Sequence, residues 1–202
     1  MLFTISIPTV HASMSPDRPS ADALRRGDDA ALERMYADHH AMVARVVRRV
    51  MGPDGEHEDL VQEVFYHAVR GVGSYRGDAD GVGAWLRAIA IGRCRKRIRR
   101  RRVRAWLQVR APDALPEVPD AADAHAAALL GRAWRIIEAM ATEDRIAFTL
   151  RFVEGLTVPE VVEATGASRS TVKRRIARAR AHFDTQARAD ALLRERLEGG
   201  AR

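Results

Sequence analysis

Arg169, Ser170, Lys173, Arg174 and Arg178 carry the clearest chemistry in this 202-residue chain, because their spacing puts all five on one side of a helix. Guanidinium, ammonium and hydroxyl groups gathered on one face are donors suited to phosphate oxygens and to the acceptor atoms of base edges. Val172, Ile176, Ala179 and Phe183 fall on the opposite face. An apolar back and a basic front is how a recognition helix sits in a major groove. Arg169, Ser170 and Arg174, toward the N-terminal half, are the candidates for base edges; Lys173 and Arg178 serve phosphates equally well. Any solvated helix can show a basic face, so the neighbouring residues have to decide.

Those neighbours favour DNA. Thr157 can cap a helix with Pro159 in its first turn, Gly166 supplies a tight turn, and Ser168 can cap the next helix with Thr171 at its third position. This is the length and punctuation of a helix-turn-helix.

Two further motifs have opposite signs. Arg93, Arg95, Lys96, Arg97 and Arg99 to Arg102 crowd positive charge into the end of one helical pattern. Such a density repels itself until an anion neutralises it, and duplex phosphates would do so. The whole chain shares the bias, with 34 basic against 27 acidic residues and a net charge of +7, which implies a polyanionic partner. Against that background the stretch "EDLVQEVF", residues 58–65, is acidic. Leu60, Val61, Val64, Phe65 and Ala68 recur at helical spacing, while Asp59, Gln62, Glu63 and Tyr66 fall together on the other side. One face is core and the other wants a partner. Asp54, Glu56, Glu58 and Asp59 also complement the dipole at a helix start, so Gln62 and Glu63, beyond the first turn, are the more diagnostic pair.

The elements needed to hold these motifs are all helical. Apolar positions from Asp28 to Met51 read as one or two amphipathic helices closed by Gly52-Pro53, and a second pattern runs from about Gly55 to Arg70. "GVGSYRGDADGVG" is loop chemistry; a third helix then carries Trp85, Leu86, Ile89, Ala90 and Ile98 into the arginine tract. After Arg110, "APDALPEVPDAADAHAA" has prolines, aspartates and alanines and no basic residue, the composition of a linker. Four short helical patterns follow from Leu129. The fold class is all-α: two small helical domains joined by a flexible linker.

Enzyme chemistry has little footing. "GDADG" resembles the start of a calcium loop but lacks the further acidic ligands and the closing glutamate. His39, His40, His57 and His67 have no metal-binding spacing, and Cys94, the single cysteine, has neither a base nor a disulfide partner. No catalytic residue, metal or cofactor is expected, and a reducing, cytoplasmic setting is the default. The opening "MLFTISIPTVHASMS" lacks a basic n-region and is interrupted by Pro8, so it reads as a tail, or as residues upstream of a start at Met14. No run approaches the roughly 18 apolar residues of a membrane span, so no membrane insertion is expected.

Together the two halves resemble a bacterial RNA polymerase sigma factor of the sigma-70 family, in its compact extracytoplasmic-function type, which keeps only regions two and four. The matching words are "EDLVQEVF", then "SYRGDADGVGAWLRAIA" with the arginine tract, then "EDRIAFTLRFVEGLTVPEVVEATGASRSTVKRRIARAR". The resemblance covers roughly Ala30 to Phe183. It implies a dissociable transcription initiation subunit, not an enzyme, that binds core RNA polymerase at its β′ clamp and β flap, recognises minus-ten and minus-thirty-five promoter elements and promotes melting. By resemblance Asp59, Leu60, Gln62, Glu63 and Phe65 dock on the polymerase. Tyr75, Arg76 and Asp78 receive a base flipped from the minus-ten element, and Arg93, Arg95, Lys96, Arg97, Arg99 and Arg100 hold the adjoining DNA. Arg169, Ser170, Thr171, Lys173, Arg174 and Arg178 read the minus-thirty-five element. Trp85 is read as core, and an anti-sigma factor is the expected regulator. The family's common "IARN" is "IAIG" here, and Lys96 stands where an aspartate is frequent.

The expected division is a disordered N-terminal tail over 1–20, region two over 21–104, a flexible acidic linker over 105–127, region four over 128–186 and a C-terminal tail over 187–202. That tail can extend the last helix or pack on the second domain through Leu192, Leu193 and Leu197. The competing reading is a stand-alone helix-turn-helix regulator that binds a palindromic site by itself.

Overall fold

The computed structural model describes residues 20–53, 57–107 and 121–199, and among these it holds helices and no strand. The first domain comprises α1 (Ala21–Arg26), α2 (Asp29–Met51), α3 (His57–Gly71) and α4 (Val82–Leu107). The second comprises α5 (Ala121–Ala139), α6 (Thr142–Phe148), α7 (Val158–Thr165), α8 (Arg169–Ala189) and α9 (Ala191–Gly199). No described helix is long and apolar enough to cross a membrane. The expectations for the N-terminal tail, Met14, Asp54, Glu56 and the proline-rich part of the linker lie outside the described residues.

Local chemistry sets the helix ends. Asp28 caps α2 by accepting a hydrogen bond from the Ala31 N–H at 3.0 Å, so the pattern after it is one continuous helix, with α1 a separate short turn before it. Met35, Val43, Val46, Val47 and Val50 of α2 meet Leu60, Val61, Val64, Phe65 and Ala68 of α3, all buried. The α3 set is the one its spacing predicts. Leu86, Ala90, Ile91, Cys94 and Ile98 of α4 complete the core. Each large aliphatic side chain so buried contributes about 1.5–3 kcal/mol. Cys94 belongs to this packing: burial pushes its thiol up to about 12, which leaves it unreactive.

In the second domain α5 begins at Ala121, inside the segment whose composition reads as linker. "AADAHAAA" is rich in the best helix former, and the aspartates that mark it as polar spacer do not prevent it from coiling. α6 continues into a five-residue π-helical turn, Thr149–Val153, in which the Glu154 N–H donates to the Thr149 carbonyl at 2.9 Å. The C-terminal stretch packs on the second domain: Asp190 Oδ1 accepts from the N–H groups of Leu192 and Leu193 to start α9, Arg132 of α5 donates to its Oδ2 at 2.8 Å, and Leu193 is buried.

The two domains are packed together. Ile146, Leu150, Val161, Ala164 and Val172 are buried in the same hydrophobic cluster as the α2–α4 core. At the seam Arg145, only 4% exposed, donates from Nε and Nη2 to the Val50 carbonyl at 3.1 and 2.8 Å, and from Nη2 to the Met51 carbonyl at 2.9 Å. These are among the last carbonyls of α2, which lack partners within their own helix. Trp134 lies over the Arg145 guanidinium at 4.7 Å and against Gly52, whose positive φ of 82° and close cover by the indole both demand glycine. Glu154, its side chain 4% exposed, pairs with Arg49 at 3.0 Å and Arg45 at 3.3 Å across the same seam.

Candidate nucleic-acid and partner interfaces

α7 and α8 form the helix-turn-helix, held by reciprocal caps. The Thr157 N–H and Oγ1 both donate to Glu160 Oε2, at 2.7 and 2.6 Å, and Oγ1 accepts from the Glu160 N–H at 3.5 Å. The Thr157 hydroxyl, and then its backbone N–H, hold the Glu160 carboxyl below the usual carboxylate range. A depressed carboxylate stabilises the fold at pH values above the unfolded range and loses that contribution as pH falls through its folded value. Thr157→Ala therefore lowers stability by about 1 kcal/mol at neutral pH. Chemical denaturation at neutral and acid pH checks this: the gap between variant and parent should close in acid, where Glu160 is protonated in both.

Gly166, with φ 67°, turns the chain, and Ser168 Oγ accepts from the Thr171 N–H to start α8. Val172 and Ala179 are buried, with Ile176 and Phe183 packed against the core. The basic front divides. Arg169, Lys173 and Arg174 are exposed and make no ion pair among the described residues, whereas Ser170 and Thr171 lie within hydrogen-bond reach of the Ser168 hydroxyl. Arg178, its side chain 60% exposed, is paired within the chain: its Nε and Nη2 hold Asp144 of α6 in a fork at 2.6 and 2.7 Å. Helical spacing shows its face but not the acidic residue that pairs with it.

The arginine tract is likewise partly neutralised within the chain. Arg93 and Arg97 lie 3.4 and 3.9 Å from Glu63, and Arg95 and Arg99 lie 3.0 and 2.9 Å from Glu143. Lys96 and Arg100 are exposed, in an open groove of about 510 Å³ on α4 that Arg95, Arg99 and Arg104 also line.

On α3 the outward face holds Asp59, Gln62 and Tyr66, the last 57% exposed. Leu60 and Phe65, which the resemblance groups with the docking residues, are buried at 1% and 6% and fix the helix on the core. Phe65 packs against Tyr36 with the rings tilted, 4.7 Å between centroids. Glu63 is half-buried and turned toward α4.

The loop between α3 and α4 closes around Tyr75. Its ring packs on Trp85 at 4.9 Å, its hydroxyl donates to the Asp78 carbonyl at 2.6 Å, and Arg25 Nε donates to its carbonyl at 2.9 Å. Burial pushes the Tyr75 phenol up from its ordinary value. A side chain at Gly77 or Gly81 would collide with that hydroxyl. Tyr75 thus shapes the loop from within; Arg76 and Asp78, which the sequence grouped with it, are on the exposed side. Trp85 is half-buried against Tyr75, as its core reading requires. No cluster of His, Cys, Asp and Glu among the described residues could hold a metal ion.

Two family models match this chain in the order of its domains: sigma-70 region 2 over residues 35–104 and sigma-70 region 4 over residues 130–183. The chain belongs to the sigma-70 family. Curated relatives of this sigma factor carry the name of the extracytoplasmic-function group, and the two family models together do not favour the stand-alone regulator. It is 29% identical to the ECF RNA polymerase sigma factor SigM of Mycobacterium tuberculosis over 157 residues, covering 78% of this chain and 77% of the relative. It is 28% identical to the ECF RNA polymerase sigma-E factor of Escherichia coli over 180 residues, covering 84% and 93%. Among solved structures it resembles CnrH in complex with the cytosolic domain of CnrY, with TM-score 0.57, 25% identity and coverage of 85% and 96%. The fold of RpoE, solved with the anti-sigma factor NepR from Bartonella quintana, is also similar, with TM-score 0.58, 17% identity and coverage of 78% and 97%.

Sequence reasoning missed three residues of this sigma factor. Arg175 reaches Glu143 at 3.3 Å; Glu143 itself gathers arginines from both domains; and Arg145 ties α6 to the end of α2. Only the charge of Glu143 and Arg145 is visible in the sequence, and their partners lie far along the chain.

Proposed function

We propose that this sigma factor docks on core RNA polymerase through the exposed face of α3, reads the minus-thirty-five element with the front of α8, and engages the minus-ten element with α4 and the loop before it. It serves as an initiation subunit, not a catalyst: RNA synthesis belongs to the polymerase, and no metal or cofactor enters the role. The observation that carries the reading is the pairing, in one chain, of a capped helix-turn-helix with exposed Arg169, Lys173 and Arg174 and an acidic, outward-facing helix whose apolar face is buried in the α2–α4 core.

Asp59 and Gln62 are the docking residues for a basic surface of the polymerase β′ clamp, with Tyr66 beside them. Phe152, 41% exposed and packed at a tilt against Phe148, supports an apolar contact with the β flap on the second domain. Lys96, Arg100 and the groove on α4 serve duplex phosphates, and Arg76 and Asp78 line the entrance for an unpaired base. The setting is that of the polymerase and chromosome, the bacterial cytoplasm. An anti-sigma factor is the regulator, as the partners of CnrH and RpoE in their solved complexes suggest by similarity.

The test is whether the purified chain co-elutes with bacterial core RNA polymerase and directs new transcript starts on genomic fragments. Tight, palindromic DNA binding with no affinity for core enzyme would overturn the reading. Within it, Arg174→Ala should leave core binding untouched and cost about 1–3 kcal/mol of discrimination at a single promoter position if the guanidinium reads a base. Competition binding against single-base promoter variants distinguishes this from the uniform weakening expected of a phosphate contact.

A further inference from the structure

Glu143 stands in the first turn of α6 and is gripped from both domains. Its Oε1 faces the first domain, 3.0 Å from Arg95 Nε and 2.9 Å from Arg99 Nη2, while its Oε2 faces α8, 3.3 Å from Arg175 Nη1. One carboxylate therefore faces three guanidinium groups: two from the tract assigned to duplex DNA and one from the recognition helix. This is the coordination a backbone phosphate receives from arginine-rich surfaces.

We propose that Glu143 is an internal stand-in for a DNA phosphate: it occupies Arg95, Arg99 and Arg175 across the seam, and these become phosphate ligands when it is displaced. The inference rests on the reading of α4 and α8 as DNA-binding elements and adds Arg175 to them.

The geometry makes the stand-in weaker than the ligand it replaces. A single negative charge serves three positive ones. Arg95 Nε, although close to the carboxylate, is not aligned for a hydrogen bond and is left without one. Arg99 is 64% exposed, so solvent screens its ion pair. A phosphodiester chain offers each guanidinium its own anion and releases condensed counterions as well. Arg95 also donates to the Thr165 carbonyl at 3.3 Å, and Arg102 to the Met140 carbonyl, so part of the tract is engaged at the seam while Lys96 and Arg100 stay exposed.

The experiment compares the full chain with its Glu143→Gln variant, which keeps shape and loses charge. Fluorescence anisotropy with a short labelled duplex, over a range of salt concentrations, is read beside the radius of gyration from small-angle X-ray scattering. The expected result is about tenfold tighter binding by the variant at low salt and a dependence of log K on log salt steeper by about 1–2, with the radius of gyration unchanged because the apolar seam and Arg145 still join the domains. Unchanged affinity and salt slope in Glu143→Gln, whatever its size, would overturn the proposal. An Arg95→Ala, Arg99→Ala double variant separates the two readings. If it binds duplex more weakly than the parent while Glu143→Gln is unchanged, the tract holds DNA and only the stand-in fails. If it binds as tightly as Glu143→Gln, these arginines are not phosphate ligands, and the proposal falls together with the DNA reading of the tract.

Discussion

With Asp59 and Gln62 both changed to lysine, the sigma factor is expected to lose core RNA polymerase by about 2–5 kcal/mol while folding as its parent does. Both side chains are exposed on α3, so neither contributes to the core that Leu60, Val61, Val64, Phe65 and Ala68 build on the other face. Lysine is a good helix former, which limits the local cost to the loss of one first-turn acid, about 0.3–1 kcal/mol. A basic partner surface, by contrast, would meet two new cations where it expects an anion and an amide. Glu63 is deliberately left alone, since its carboxylate holds Arg93 and Arg97 of α4 and a change there would disturb two surfaces together. Core affinity is measured by competition for fluorescent core enzyme, and folding by circular dichroism and thermal melting. A variant that binds core normally would sink the docking assignment of α3; one that binds poorly but also melts early would not count as support.

Arg145→Ala is the second large effect, and it acts on the seam. The arginine makes three hydrogen bonds to two carbonyls at the end of α2 and lies under Trp134. Truncation leaves both carbonyls buried without donors, at about 1–3 kcal/mol each, and removes a desolvated cation–π contact. Against this, burial of the charge is itself costly, and it pushes the guanidinium down to about 10, still protonated at neutral pH. The net expectation is a loss of about 2–4 kcal/mol in urea denaturation. Arg145→Lys should recover only part of it, because an ammonium lacks the fork that spans Val50 and Met51. A change within about 0.5 kcal/mol for Arg145→Ala would mean that the packed seam does not form in solution.

Much of this architecture is legible in the sequence, and what is missing has a common physical cause. The five inward residues of α3, the caps at Thr157 and Ser168 and the turn at Gly166 all follow from periodicity and hydrogen-bond chemistry within a few residues, where local rules suffice. Asp144 taking Arg178, Glu143 taking Arg95 and Arg99, and Val50 taking Arg145 join residues at least 34 positions apart, which no local rule links. The crowding of the arginine tract calls for a neutralising anion; part of that anion is the chain's own Glu63 and Glu143, a choice charge counting cannot make. Tyr75 shows a subtler failure. A glycine-rich loop reads as open, yet those glycines let the backbone close over the phenol. The start of α5 at Ala121 was hidden because composition weighs aspartate and proline as spacer and gives alanine no voice.

The hydrophobic cluster that runs unbroken from α2–α4 into Ile146, Leu150, Val161, Ala164 and Val172 bears on how long the protein survives in the cell. Parting the domains wets apolar side chains that are dry in the closed chain. Exposed surface of that kind is what chaperones and proteases recognise, and the fraction of time it is exposed sets the rate of removal. A molecule opened on a partner has that surface protected or its lifetime governed by the partner. One opened without a partner must reclose or be destroyed, so the supply of active subunit is tied to the number of binding places available to it.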